Sequence, residues 1–233
     1  MPGSSNKGKV TILEWRREMP PIKKILDVGP GWGTYIKLLK SPGEVWHAVE
    51  IHEPYVERFK LKKLYDKVFV GNIAEFEPAD HYDLVILGDV LEHIEKQRAL
   101  EVLGKVFSYA KFCLLSLPLD QETGVELDNH GEYWGNPYEK HLARWSNLDF
   151  LKQVLSLGGE PIAVKKYREL GVYLIACKSG DNFLNESVGI FDKLKFRKMT
   201  VDSGREVKQT IKYYILKFTP RFVKDFVKRK RNK

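Results

Sequence analysis

Three histidines stand where a proton could be handled: His93, His130 and His141. An imidazole titrates nearer neutrality than any other unperturbed side chain, so it suits taking a proton from an attacking hydroxyl. His141 is the first candidate for such a base and His93 the second. His47, His52 and His81 fall in or beside strand-like runs and read as structural or surface residues. Residues 118–145 carry aromatic residues between His, Asn and acidic ones, with His130, Tyr133, Trp134, Tyr138 and Trp145 the candidate substrate contacts. Rings that cover C–H faces beside polar tips that bind hydroxyls suit a polyhydroxylated acceptor. The alternative for this stretch is an aromatic-stapled loop that closes over the core. Asp89 has no second carboxylate at a metal-binding spacing, so no metal is expected.

A second constellation lies nearer the start of the chain. The apolar run Ile25–Val28 leads straight into Gly29, Gly31 and Gly33, and a helix-period stretch follows. Glycines there let the backbone turn tightly and approach a ligand, while the next helix offers free N–H groups and a positive dipole end. About twenty residues on, the run Val45–Val49 ends at Glu50, placed to accept both hydroxyls of a ribose.

The elements that must hold these residues follow from hydrophobic periodicity. Ile25–Val28, Val45–Val49, Val68–Val70, Leu84–Leu87 and Phe112–Leu117 read as buried strands. Tyr35–Leu39, Tyr55–Leu64 and Ile94–Phe107 have the spacing of crossover helices, and Leu148–Leu157 reads as a helix closed by Gly158 and Gly159. Two further strands, Ile162–Tyr167 and Val172–Cys177, flank a short turn at residues 169–171. The expected fold is α/β: a mostly parallel seven-stranded sheet with helices on both faces and a terminal antiparallel hairpin, followed by a basic helical tail. Residues 1–180 form the expected main domain and 181–233 the extension.

Three strings together resemble the class I S-adenosylmethionine-dependent methyltransferases: Asp27-Val28-Gly29-Pro30-Gly31-Trp32-Gly33, the strand-end Glu50, and Tyr82 through Ile94 with Asp89-Val90-Leu91-Glu92-His93 at its end. The resemblance covers about residues 22–178. It implies S-adenosylmethionine as cofactor, with Gly29, Gly31 and Gly33 along its methionine and ribose side. It further implies that Asp27 steadies the glycine loop through its carboxylate and that Glu50 takes the ribose hydroxyls. Asn72 stands where the family usually has an Asp facing the adenine amine; its amide oxygen can accept the same hydrogen bond. Asn72 and Ile73 therefore join the site, with Ile51 on the adenine face and Asp89 near the transferable methyl group. The string Gly135 through Trp145 resembles a loop in bacterial methyltransferases, some of them linked to surface polysaccharide synthesis.

Charge bounds the partners. The chain carries a formal net charge of +8, but residues 181–233 alone hold 15 Lys/Arg against 6 Asp/Glu, which leaves the body with 24 basic and 25 acidic residues. A neutral body argues against a nucleic-acid-binding core. The tail places Phe222, Val223 and Phe226 beside Lys and Arg. It fits a helix on an anionic bilayer, a helix docked on the protein, or a contact with nucleic acid. The two cysteines, Cys113 and Cys177, sit in apolar runs as small hydrophobes, and no leader or spanning segment is visible. The expectation is a cytoplasmic O-methyltransferase acting on a hydroxyl of a sugar, glycan or glycolipid, possible membrane contact resting on the tail alone. A small-metabolite methyltransferase and a non-catalytic S-adenosylmethionine-binding module are the alternatives.

Overall fold

The computed structural model describes residues 8–119 and 135–177. The basic tail, the boundary at residue 180, and His130, Tyr133 and Trp134 of the expected substrate loop lie outside the described residues. Seven strands, β1 (Lys24–Val28), β2 (Val45–Glu50), β3 (Lys67–Val70), β4 (Tyr82–Gly88), β5 (Ala110–Pro118), β6 (Glu160–Lys166) and β7 (Leu170–Ala176), form one sheet in the order β3-β2-β1-β4-β5-β7-β6. β1 to β5 pair in parallel, whereas β7 runs antiparallel to both β5 and β6. The hairpin is thus inserted with its second strand against β5.

Strands covered on both faces read as continuous apolar runs rather than alternating ones, and β4 and β7 are buried along nearly their whole length. Helices α1 (Lys9–Glu18), α2 (Thr34–Leu39), α3 (Glu53–Arg58) and α4 (Leu61–Leu64) are followed by α5 (Lys96–Tyr109) and α6 (Asn147–Ser156). On one face, Ile12 of α1, Ile36 and Leu39 of α2 and Leu61 of α4 join a core with Leu84, Leu114 and Val172. Side chains alternate across a strand, so Tyr173 and Ile175 point to the other face, where the Tyr173 ring packs at a tilt against Phe150 of α6, centroids 4.6 Å apart. Its hydroxyl donates to Asn147 at 2.8 Å, pinning the start of α6 to β7.

Helix α1 adds to the elements expected from periodicity, although Ile12, Trp15 and Met19 carry the i, i+3, i+7 spacing and all pack on this core. Its Arg16 pairs with the buried carboxylate of Glu44, which also accepts from the Ser41 N–H and the Trp46 indole, both at 2.9 Å. The single helix expected over Tyr55–Leu64 is two, broken where Lys60 adopts a left-handed conformation (φ 55°). Cys113 and Cys177 are buried free thiols. Among the described residues no helix is long and apolar enough to cross a membrane.

The sheet order decides where a ligand can sit. From β1 the chain steps outward to β2 and β3, then returns to place β4 on the other flank of β1. The carboxyl ends of β1 and β4 diverge in their connections, which opens a crevice at this switch point.

Candidate functional site

A cavity of about 630 Å³ opens at that crevice. Its first half is built from the ends of β1, β2 and β3. Gly29 (φ 60°) and Gly31 (φ 52°) line it in the left-handed conformation, which glycine adopts without a Cβ penalty. Glu50 ends β2 and also lines the cavity, although only 3% of it is exposed. Burial pushes its carboxyl up to about 7, against the opposing effect of hydrogen bonds from the backbone N–H groups of His52, Gly31 and Ile51. The His52 bond measures 2.8 Å. A carboxylate so held has a fixed orientation toward the cavity and gains from any hydroxyl donors that arrive there. Ile51, Asn72 and Ile73 line the same half. The Asn72 side-chain oxygen already accepts from the Ala74 N–H at 2.9 Å, and its second lone pair remains as an acceptor.

Two residues expected along the cofactor lie behind the wall. Gly33 caps α2 (φ 76°), and a Cβ there would come within 2.7 Å of Leu64, so its role is to let α2 and α4 approach. Asp27 is 1% exposed and does not line the cavity. Its Oδ2 accepts the Tyr65 hydroxyl at 2.5 Å, so the described partner is the end of α4 rather than the glycine loop. Burial raises this carboxyl to about 7 as well, with Glu50 adding to the rise.

The second half is built around the end of β4. Asp89 takes a left-handed conformation (φ 56°), uncommon outside glycine and asparagine. It is fixed by Ser116 of β5, whose carbonyl accepts the Asp89 N–H and whose hydroxyl donates to Asp89 Oδ1, both at 2.9 Å. Tyr35 reaches the same Ser116 hydroxyl at 3.0 Å, and its ring fills the space that a Cβ on Gly88 would need. Gly88 is therefore glycine because of close approach.

A 3-10 turn, Leu91–His93, follows. The backbone carbonyl of Glu92 accepts from both Leu142 N (2.7 Å) and Ala143 N (3.0 Å). This pair of hydrogen bonds to one carbonyl brings the segment after residue 139 back to the β4 edge, and it places His141 beside His93 with ring centroids 4.9 Å apart. His93 Nδ1 lies 3.3 Å from the Lys140 carbonyl oxygen. Burial, with His141 next to it, pushes His93 down to about 4, so it is a neutral imidazole at ordinary pH. One ligand atom each from Glu92, His93 and His141 lies within 4.8 Å of the others. The carboxylate accompanying the imidazoles is thus Glu92, three residues beyond Asp89.

Tyr138 lines the cavity half exposed, on a 3-10 turn at Pro137–Glu139. That turn is tied to α3, because Glu139 Oε1 accepts from Tyr55 and from Asn136, each at 3.1 Å. Trp145, expected at the acceptor, is instead core: it is fully buried, meets Phe150 edge to face at 5.5 Å, and does not line the cavity. Glu92, Tyr55, Asn136, Glu139 and Arg98 line the cavity without having been singled out in the sequence. Glu92 had a signal, its place in the Asp89–His93 string. The others are recruited by packing between distant segments.

A family model described as a methyltransferase domain matches residues 10–159, more than half of the chain. The chain belongs to that methyltransferase family. It is an S-adenosylmethionine-dependent methyltransferase. A small RNA 2'-O-methyltransferase of Schizosaccharomyces pombe is 23% identical, over 76% of this chain and 52% of that protein, so the methyltransferase spans about half the length of this curated relative. Its fold is similar to that of an S-adenosylmethionine-dependent methyltransferase from Clostridium acetobutylicum (15% identity, TM-score 0.57, 74% of this chain and 91% of that one). It is also similar to the N-terminal domain of EvdMO1, crystallised in the presence of SAH and D-fucose (15% identity, TM-score 0.55, 76% and 85%). The residues present fit the cofactor. Glu50 holds a buried carboxylate toward the cavity, the glycine turn leaves room for a close backbone approach, and the lining is acidic enough to receive a cation.

Proposed function

We propose that this methyltransferase transfers its methyl group to a hydroxyl of a sugar ring, on a glycan or glycolipid. The observation that carries the reading is the Glu92–His93–His141 group beside Asp89 in the cavity wall. A hydroxyl is a neutral, weakly nucleophilic acceptor whose proton must leave as its oxygen attacks, so it calls for a group at hand that takes that proton or makes it more acidic.

S-adenosylmethionine supplies, when bound, a methyl group on a positively charged sulfur. Glu50 accepts the ribose hydroxyls and fixes the cofactor's orientation, and the Gly29–Gly31 turn lets the backbone lie close to it. Asp89, locked by Ser116, marks the boundary between the cofactor half and the acceptor half. From there the two imidazoles and Glu92 engage the acceptor hydroxyl, while the half-exposed ring of Tyr138 offers a face for sugar C–H groups. Holding the attacking oxygen in line with the methyl carbon is itself a large part of the rate.

The charge of the lining favours a neutral acceptor. Glu50, Asp89, Glu92, Glu95, Glu139 and Glu169 are among the described lining residues, against Arg98 as the guanidinium. Such a field disfavours phosphate close to the site. The EvdMO1 domain, similar in fold, was crystallised with a sugar present, which agrees with a sugar acceptor. A second reading, the ribose 2'-hydroxyl of an RNA, is favoured by the curated relative; it shares the hydroxyl chemistry and meets the acidic lining as its obstacle.

The test is methyl transfer from labelled S-adenosylmethionine by the full chain to neutral oligosaccharides, nucleotide sugars, lipid-linked glycans and small RNAs. Label in a neutral glycan or glycolipid is the expected outcome. Label confined to RNA moves the acceptor to ribose, and label confined to amines or thiols overturns the reading.

A further inference from the structure

We infer that Glu92, His93 and His141 form a binding site for a divalent first-row transition metal, which holds the acceptor through its oxygen atoms. The inference deepens the sugar-hydroxyl reading and rests on it for the role of the cation, but not for the site itself.

One carboxylate oxygen and two imidazole nitrogens lie within 4.8 Å of one another. Ligands about 2.1 Å from a shared ion stand roughly 3–4 Å apart, so side-chain shifts of up to roughly 1 Å each close the set. A mixed N and O donor set suits manganese, iron, cobalt or zinc, and does not suit calcium or magnesium, which prefer oxygen throughout. Two imidazoles and one carboxylate on one side of an ion leave the opposite positions open.

The imidazole of His93 is held by backbone. Its Nδ1 lies against the carbonyl oxygen of Lys140. A carbonyl only accepts, so Nδ1 carries the proton and Nε2 keeps its lone pair. A ring N–H tied to a backbone carbonyl is the arrangement that orients metal-binding histidines and fixes their tautomer. Backbone bonds set the rest: the Glu92 carbonyl binds Leu142 N and Ala143 N, which fixes His141 beside the turn that carries the other two ligands. Two donors thus come from adjacent residues of one turn and the third from a segment clamped to the same turn.

Glu92 is 1% exposed in a wall that also contains Asp89, Glu95 and Glu139. A low-dielectric cavity lined by one sign of charge concentrates ions of the other sign.

The site explains why two imidazoles stand where one base would suffice. The cation occupies their lone pairs, so neither is the proton acceptor; it binds the acceptor hydroxyl, together with a neighbouring hydroxyl, at its open positions. The acceptor oxygen then uses a lone pair to bond the methyl carbon, the carbon–sulfur pair stays on sulfur, and the hydroxyl proton, acidified by the ion, leaves to water. A vicinal diol, as in a sugar ring, is the acceptor such a site selects.

Metal binding is measured without any acceptor. Full-length protein, stripped with EDTA and saturated with S-adenosylhomocysteine, is titrated with Mn2+ while free Mn2+ is read by electron paramagnetic resonance. One Mn2+ per chain is expected, displaced by Zn2+ and weakened at least tenfold in His141→Ala and in Glu92→Gln, each with S-adenosylhomocysteine affinity within twofold of the wild type. Should one variant fail to bind S-adenosylhomocysteine, the other supplies the comparison, with His93→Gln in reserve. No stoichiometric Mn2+, Co2+ or Zn2+ binding by the cofactor-competent protein, or binding that survives these substitutions, overturns the site. An EDTA-stripped enzyme that methylates a sugar at full rate overturns it while leaving the proposed acceptor standing. Metal bound normally by a protein that labels no sugar leaves the site standing and removes the acceptor.

Discussion

The rings of His93 and His141 meet edge to face at 4.9 Å, brought together by backbone bonds to the carbonyl of Glu92. Glu50 ends β2, whereas both rings belong to the turn after β4 and the segment bonded to it. Replacement of His141 by Ala is therefore expected to lower kcat by roughly 10²–10⁴-fold, with the dissociation constant of S-adenosylhomocysteine unchanged within twofold. Single-turnover kinetics beside calorimetry separates the two. A large loss of cofactor affinity with kcat preserved would remove His141 from the acceptor side.

Glu50 gives a pH prediction with a definite sign. Its carboxyl is raised to about 7 in the fold from an ordinary value of 4.5. Between those values the folded state holds a proton that the unfolded state has lost, so Glu50 makes the cofactor-free protein less stable as pH rises from 4.5 to 7. The penalty is full above 7. Glu50→Gln removes it, and is expected to raise the melting temperature of the cofactor-free protein at pH 8, by about 1–3 kcal/mol of stability, with a smaller gain at pH 5.5. The same substitution weakens S-adenosylmethionine at least tenfold, since charge-assisted bonds to the ribose are lost. Thermal melts that show Glu50→Gln less stable at pH 8 would count against the assigned burial.

A consequence for binding follows from the same group. Ribose hydroxyls that donate to Glu50 stabilise its anion and draw its pKa down. Cofactor binding near pH 7 is then expected to release a fraction of a proton. Calorimetry in buffers of different ionisation enthalpy reads this directly; a binding enthalpy identical in all of them would show that Glu50 does not change protonation.

Tyr65 holds Asp27 through a 2.5 Å bond in a region where Asp27 is 1% exposed. Tyr65→Phe leaves that carboxyl without this donor, and a stability loss of about 1–3 kcal/mol is expected from urea unfolding. Cofactor affinity, set by residues in front of Asp27, should change far less than in Glu50→Gln. Equal losses in both variants would put Asp27 in the wall after all.

Trp145 separates packing from recognition. Trp145→Phe is expected to reduce stability by about 1–2 kcal/mol through an underfilled core, and to leave KM for the acceptor within twofold. Tyr138→Ala should do the reverse. A raised acceptor KM in Trp145→Phe at unchanged stability would restore Trp145 to the acceptor site.

What could be read from the chain alone was what repeats at short range. The seven strands lie within a few residues of their expected places, because each is an apolar run of strand length. Gly29, Gly31 and Glu50 follow from a strand–turn–helix spacing that local chemistry dictates. Gly33 and Asp27 share that string yet serve packing, since a motif fixes positions along the backbone and not which side of the wall a side chain takes. Helix α1 escaped because its mostly polar sequence hides three apolar residues on one face. Glu92 and His141 are distant in the chain, and the bonds that unite them run through backbone atoms that carry no sequence signature.

The Glu92 carbonyl that anchors Leu142 and Ala143 has a consequence for how this enzyme can be altered. The cofactor half is welded into strand ends, whereas residues 140–143 of the acceptor half are attached to the β4 edge through backbone atoms. Side chains at the rim, such as Tyr138, Leu142 and Arg98, are exposed and can be exchanged without disturbing that attachment. Directed evolution of acceptor preference would find its tolerant positions there, and natural divergence of substrate would be expected to accumulate in the same few places.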